Sequence, residues 1–182
     1  MNAPTEQLVY DMGVEALFRG LGERVTPELK ADVRALGIDL DKKLLPGYPK
    51  DVWVRVVDAV ARALSRDDDL PTARRALGHA ITNGFADTTL GKLMAPGIRL
   101  MGVRRMLARL PRTLTMSNNF LKVSVAEIGP ASMRVEMNEA VPSPEFLCGV
   151  IEAMAGYAGA KQTDVRFTTE GPLRVFTVTW ST

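Results

Sequence analysis

Residue types able to do chemistry are few in this chain, and their spacing limits what they could do. There is one histidine, His79, and one cysteine, Cys148. A closed structural zinc site takes four such ligands, so these two cannot build one. His79 falls on a helical pattern with Arg75, Thr82 and Asn83 on its side, while Ala73, Leu77 and Ile81 face the other way. That placement predicts a half-exposed surface imidazole, with a ligand contact or a haem axial base as the chemical alternatives. Cys148 follows Leu147 early in an apolar stripe, with no histidine near it in sequence. A packed thiol is expected there rather than a nucleophile. No Gly-x-Ser-x-Gly nucleophile elbow occurs, so a serine hydrolase has no local signature. Phosphate-binding loops are also missing, because Gly91-Lys92 has no glycine-rich turn before it. Asp67-Asp68-Asp69 lacks the spaced oxygen ligands and closing glutamate of a calcium loop and reads as a solvated break. No catalytic residue, metal site or cofactor is therefore expected.

The most unusual chemical feature is the segregation of charge. Between Thr88 and Ala126 there is no acidic residue, while Lys92, Arg99, Arg104, Arg105, Arg109, Arg112 and Lys122 are basic. The whole chain carries only +2, so the remainder is net acidic. A basic stretch beside an apolar stripe suits an acidic protein partner or ligand, anionic lipid, nucleic acid, or internal pairing with the acidic remainder. Nucleic acid is not expected: the stretch has no aromatic residue before Phe120 to stack on bases, and the total charge is too small for a duplex binder. Arg104, Arg105, Asn118 and Asn119 lie where this stretch leads into the first strand. With His79, they are the expected ligand or partner contacts.

The elements that must position these groups follow from periodicity. Leu121, Val123 and Val125 alternate with polar residues, Gly129-Pro130 turns the chain, and Met133, Val135 and Met137 alternate again, which predicts a hairpin. Ser143, Pro144 and Glu145 then supply a cap, a proline at the first helical position and an acid at the positive helix end. Leu147, Val150, Ile151, Met154 and Ala158 form one apolar face. A second hairpin runs through Val165 and Phe167, turns at Glu170-Gly171-Pro172 and ends in Val175–Trp180. The result is a ββαββ unit.

Before it lies a series of helices. The spacing predicts one over Gly13–Leu21, one starting at Thr26-Pro27 and ending at Gly37, and one from Lys50 to about Arg66. Asp39–Pro49 reads as a connector. Pro71 opens a helix expected to stop at Gly84, Asp87 caps a short segment ended by Pro96-Gly97, and Ile98–Leu110 reads as one amphipathic helix with Leu100, Val103, Leu107 and Leu110 on one face. The predicted fold class is α+β: a single domain with a helical amino-terminal lobe (residues 1–112) packed on a carboxy-terminal antiparallel ββαββ unit (113–182).

Composition supports a globular chain: 182 residues, 46% hydrophobic, with mean hydropathy near zero. No apolar run approaches the roughly 20 residues of a membrane helix, and Met1–Glu6 lacks the basic and apolar regions of a secretion signal. One cysteine excludes an internal disulfide framework, so a cytoplasmic location is expected.

Four strings carry a family resemblance: Gly13–Leu21 (GVEALFRGL), Tyr48-Pro49 followed by Trp53, Pro144-Glu145-Phe146, and Val178-Thr179-Trp180. They resemble a paralogous myxobacterial family of unknown function, of about this length. The order of helices, hairpin, helix and hairpin also resembles the ligand-binding superfamily of haem-nitric-oxide sensor domains, vinyl-4-reductase-like domains and Bet3-like tethering subunits. That resemblance implies a cleft between helical lobe and sheet, dimerisation, and a sensory or scaffolding role. The haem sensors hold propionates with a Tyr-x-Ser-x-Arg motif, and here the corresponding region, Met137–Pro144, has neither tyrosine nor arginine. No haem residue is carried over. The expected function is a non-enzymatic regulatory or sensory module that binds a small apolar or acidic ligand or an acidic protein partner, with nine methionines suiting an adaptable pocket. The alternative is a homodimeric structural or tethering subunit without ligand, and behind it a haem protein or hydrolase built from dispersed residues.

Overall fold

A computed structural model describes residues 6–65 and 69–182. Met1–Thr5, and Arg66, Asp67 and Asp68 of the expected acidic break, lie outside the described residues. Asp69 is described, and its carboxylate accepts the Thr72 N–H at 3.1 Å as the cap of a helix.

That helix, α4 (Leu70–Ala86), is the axis of the molecule. It packs on one side against α1 (Asp11–Leu21) and on the other against α8 (Pro144–Tyr157). Both contacts are made backbone to backbone. A Cβ on Gly84 would stand 1.8 Å from the Ala16 carbonyl oxygen, and one on Gly20 equally close to that of Ala80. A Cβ on Gly78 would meet the Phe146 oxygen at 2.0 Å, and one on Gly149 that of Arg75. Gly84, expected to stop its helix, is therefore inside it, as Gly20 is inside α1. They are small because another helix passes there, and α4 runs on past Gly84 to Ala86.

Around this axis the remaining helices bury the stripes that spacing predicts. α2 (Pro27–Ala35) is capped by Thr26, whose hydroxyl accepts the Leu29 N–H, and buries Leu29 and Val33. α3 (Lys50–Leu64) buries Trp53, Val56, Val57 and Val60, and the Trp53 ring meets Phe146 of α8 edge-on, centroids 6.4 Å apart. The stretch expected to be a plain connector contains β2 (Gly47–Pro49), which pairs antiparallel with β1 (Leu8–Tyr10). Three-residue strands leave almost no alternation to read. Their stability comes from elsewhere: Asn119 accepts the Leu8 N–H at 2.8 Å and donates to the Glu6 carbonyl at 2.9 Å, and Tyr10 N–H donates to Ser117.

The carboxy-terminal unit is the expected ββαββ arrangement. β3 (Val123–Gly129), β4 (Ser132–Met137), β5 (Gln162–Glu170) and β6 (Leu173–Ser181) form one antiparallel sheet in the order β3-β4-β6-β5. Register places Val135 opposite Phe176 and Met133 opposite Val178, all buried on one face. α8 connects the hairpins and packs on β5 and β6. It starts as predicted, with the Ser143 hydroxyl accepting the Phe146 N–H.

The chain between α4 and the sheet departs furthest from expectation. Thr88, not Asp87, caps α5 (Thr89–Met101), which continues through Pro96 instead of ending there. Gly102, at φ +76°, breaks the chain before α6 (Val103–Leu107), and α7 (Leu110–Thr115) follows. The single helix expected over Ile98–Leu110 is thus three segments. Val103, Leu107 and Leu110 do share the core, but Leu100 is 89% exposed. The bend at Gly102 rotates it out of their stripe. No described helix is long and apolar enough to cross a membrane.

Candidate ligand cavity

α5 is an unusual helix, because Gly91 is its only buried residue. One side of it nevertheless faces inward, and between that side and the bodies of α1, α4 and α8 lies a cavity of about 220 Å³. Met94, Ala95, Ile98 and Met101 come from α5, Met12 and Ala16 from α1, Ile81 and Phe85 from α4. α8 supplies Phe146, Val150, Met154 and Tyr157, and Trp53, Phe120 and Leu121 contribute further apolar surface. No residue of the four-stranded sheet lines it: α8 stands between cavity and sheet, so the cleft is bounded by helices on both sides. Six of the nine methionines (12, 94, 101, 106, 116 and 154) line it, whereas Met133 and Met137 sit in the sheet core. Methionine adapts its shape to what it touches, which suits a surface that must fit more than one arrangement.

The polar groups in the lining are mostly occupied already. Thr82 donates to the Gly78 carbonyl, Thr113 to that of Arg109 and Ser117 to that of Leu114. Asn118, 5% exposed, donates to the Leu114 carbonyl at 2.8 Å and accepts from the N–H groups of Phe120 and Leu121. The Tyr157 hydroxyl donates to Asn83 Oδ1 at 3.2 Å, and burial raises its pKa. Among the described residues, Arg109 is the one charged residue in the lining. Among the described residues it has no ion pair or side-chain hydrogen bond.

A family model described as "Protein of unknown function (DUF2378)" matches residues 7–181. The chain belongs to the DUF2378 family. No curated protein matches it. Among solved structures, this DUF2378 chain is similar to H-NOX domains. An oxygen-binding H-NOX domain related to soluble guanylate cyclases superposes with a TM-score of 0.65 at 10% identity, covering 94% of this chain and 92% of that one. The Fe(II) unliganded H-NOX protein from K. algicida gives 0.64 at 10% identity, covering 94% and 95%. At that identity the likeness is one of fold: an H-NOX-like α+β architecture.

Of the five residues expected as contacts in this DUF2378 chain, the structure brings Asn118 alone to the cavity wall. Arg104 reaches the β3–β4 hairpin instead, donating to Glu127 at 2.6 Å and to the Pro130 carbonyl. Arg105 is exposed and outside the lining, and Asn119 clamps β1. His79 lies on the face of α4 turned to α8, its Nε2 3.0 Å from Glu152, which also pairs with Arg75. Cys148 is buried outside the lining, and burial pushes its thiol up to about 11. Arg109 was missed because a lone arginine in a basic run carries no signal. What singles it out is that Arg104 finds a partner while Arg109 borders apolar space.

Proposed function

We propose that this protein is a non-enzymatic cytoplasmic regulatory module that takes a small apolar molecule into its methionine-lined cavity. The observation that carries the reading is the cavity itself: concave, apolar on nearly every side, with a few polar groups in its wall, which is the composition of a small-molecule site. Its volume is below the roughly 300–1,000 Å³ usual for drug-sized ligands, so the ligand is small. α5 forms one wall, and occupation of the cavity therefore reports directly to an exposed surface element.

The H-NOX neighbours raise haem as the ligand, and the residues here do not fit it. Haem iron takes an imidazole, a thiolate, a phenolate, or a thioether opposite an imidazole. Neither His79 nor Cys148 lines the cavity. Tyr157 does, but its hydroxyl is engaged with Asn83 Oδ1. Two propionates also want more cation than Arg109 alone provides.

Native mass spectrometry of the protein purified from cells tests the proposal. A copurified small molecule is expected as extra mass, and Ala95→Trp, which fills the cavity from the α5 side, should abolish it. A folded protein that carries no added mass and gains no thermal stability from any apolar compound would refute it. Added haemin should show neither a shift nor a sharpening of its Soret band relative to free haemin. A second reading, an acidic protein partner, is favoured by the outer face of α5, where Leu93 and Leu100 are 79% and 89% exposed beside Lys92 and Arg99. An apolar ridge between cations suits an acidic, partly apolar surface.

A further inference from the structure

Resting on the cavity reading, we propose that the ligand is an apolar monocarboxylate. Its hydrocarbon body lies against the methionine lining and its carboxylate meets Arg109 at the mouth.

A ligand entering this space loses water from every atom it buries, and each polar atom needs a partner inside. The lining hydroxyls of Thr82, Thr113, Ser117 and Tyr157 already donate their single protons to protein oxygens. The amide of Asn118 donates to the Leu114 carbonyl, and its oxygen accepts two backbone N–H groups. Displacing either would unmake the turn that leads into β3. The Trp53 indole N–H and the second amide N–H of Asn118 are neutral donors, and the one charged donor set left free among the described lining residues is the guanidinium of Arg109. A planar guanidinium matches a carboxylate with two parallel N–H···O bonds.

The surroundings agree in sign and in number. No acidic residue lines the cavity to neutralise Arg109, and none occurs between Thr88 and Ala126. A dianionic phosphate would want a second cation, and no lysine or other arginine lines the wall. Arg109 is exposed, so the charged end stays near water while the body is enclosed. It precedes α7, and its own carbonyl accepts from Thr113, which fixes the backbone from which the side chain reaches. Size follows from volume: an apolar cavity of about 150 Å³ holds benzene, so about 220 Å³ admits roughly eight to ten non-hydrogen atoms.

The test compares octanoate with octanol and methyl octanoate, read by the fluorescence of Trp53 in the cavity wall and by calorimetry. It uses the full chain and its Arg109→Gln, Arg105→Gln and Ala95→Trp variants, each checked for folding by circular dichroism. Octanoate is expected to bind up to roughly fivefold more tightly than octanol, the contribution of one partly exposed ion pair. Arg109→Gln should erase that preference, and Arg105→Gln should preserve it. Equal binding of octanoate and octanol, or equal losses in both arginine variants, would overturn the carboxylate inference and leave the cavity standing. Binding by none of the three compounds, or binding that survives Ala95→Trp, would overturn the cavity reading itself.

Discussion

Glu152 projects from α8 toward α4, where two side chains meet it: Arg75, paired through both carboxylate oxygens, and the His79 ring at 3.0 Å. Its side chain is 11% exposed. Burial acts to raise its pKa, but the hydrogen bonds from Arg75 and His79 outweigh burial and hold it below the ordinary carboxylate value. A carboxylate depressed in the folded state contributes stability above its unfolded pKa and loses it as the pH falls through the folded one. Glu152→Gln is therefore expected to lower stability by about 1–2 kcal/mol at neutral pH, the low end for bonds to charged groups because Arg75 and His79 remain half in water. The variant should also show a shallower loss of stability below pH 5. Urea unfolding across pH measures both, and an acid limb identical to that of the parent would show that Glu152 is not linked to folding.

At the scale of elements, α4 works as an axis because its neighbours come close enough for backbone to touch backbone. Gly84 against Ala16 and Gly20 against Ala80 make the α1 side, and Gly78 against Phe146 and Gly149 against Arg75 make the α8 side. Alanine at such a position raises intrinsic helix propensity, so an exposed helical glycine would tolerate it or gain. Here the added methyl would meet a carbonyl oxygen at 1.8–2.0 Å, which no rotamer change can relieve. Gly84→Ala is expected to cost at least about 3 kcal/mol, the upper part of the overpacking range, because a helix has to move. Gly156→Ala is the control, since a Cβ there has open space, and should be neutral or stabilising. Thermal denaturation of the two variants decides it: equal melting temperatures would mean the close approach does not bear on stability.

For the whole molecule, the same packing divides a firm part from a yielding one. α4 is held on two sides, and α8 on two as well, by α4 and by the sheet. α5 buries only Gly91, carries Pro96 in its interior and ends at Gly102. Proline removes one N–H from the helical ladder, and few buried contacts remain to compensate. In hydrogen exchange, the α5 amides are expected to exchange orders of magnitude faster than those of α4, and to slow when the cavity is filled. Equal protection in the two helices would mean that α5 is a fixed wall, and entry would then need another route.

The chain alone determined the elements whose cause is local. Alternation in β3–β6 sets which face is buried, and Thr26, Asp69 and Ser143 cap helices with side chains one turn from the groups they satisfy. From these the α+β class and the ββαββ unit were legible. Tertiary structure alone decided what rests on distance between elements. Gly84 reads as a helix stop in sequence, and only a neighbouring helix makes it a contact, as it does glycines 20, 78 and 149. β1 and β2 are too short to show a period and exist because Asn119 and Tyr10 tie them down. The bend at Gly102 turns Leu100 outward and opens the space that Met94 and Met101 enclose. Arg109 stands apart from the arginines around it for the same reason. Charge is written in the sequence, but whether a charge has a partner is a matter of where the other elements end.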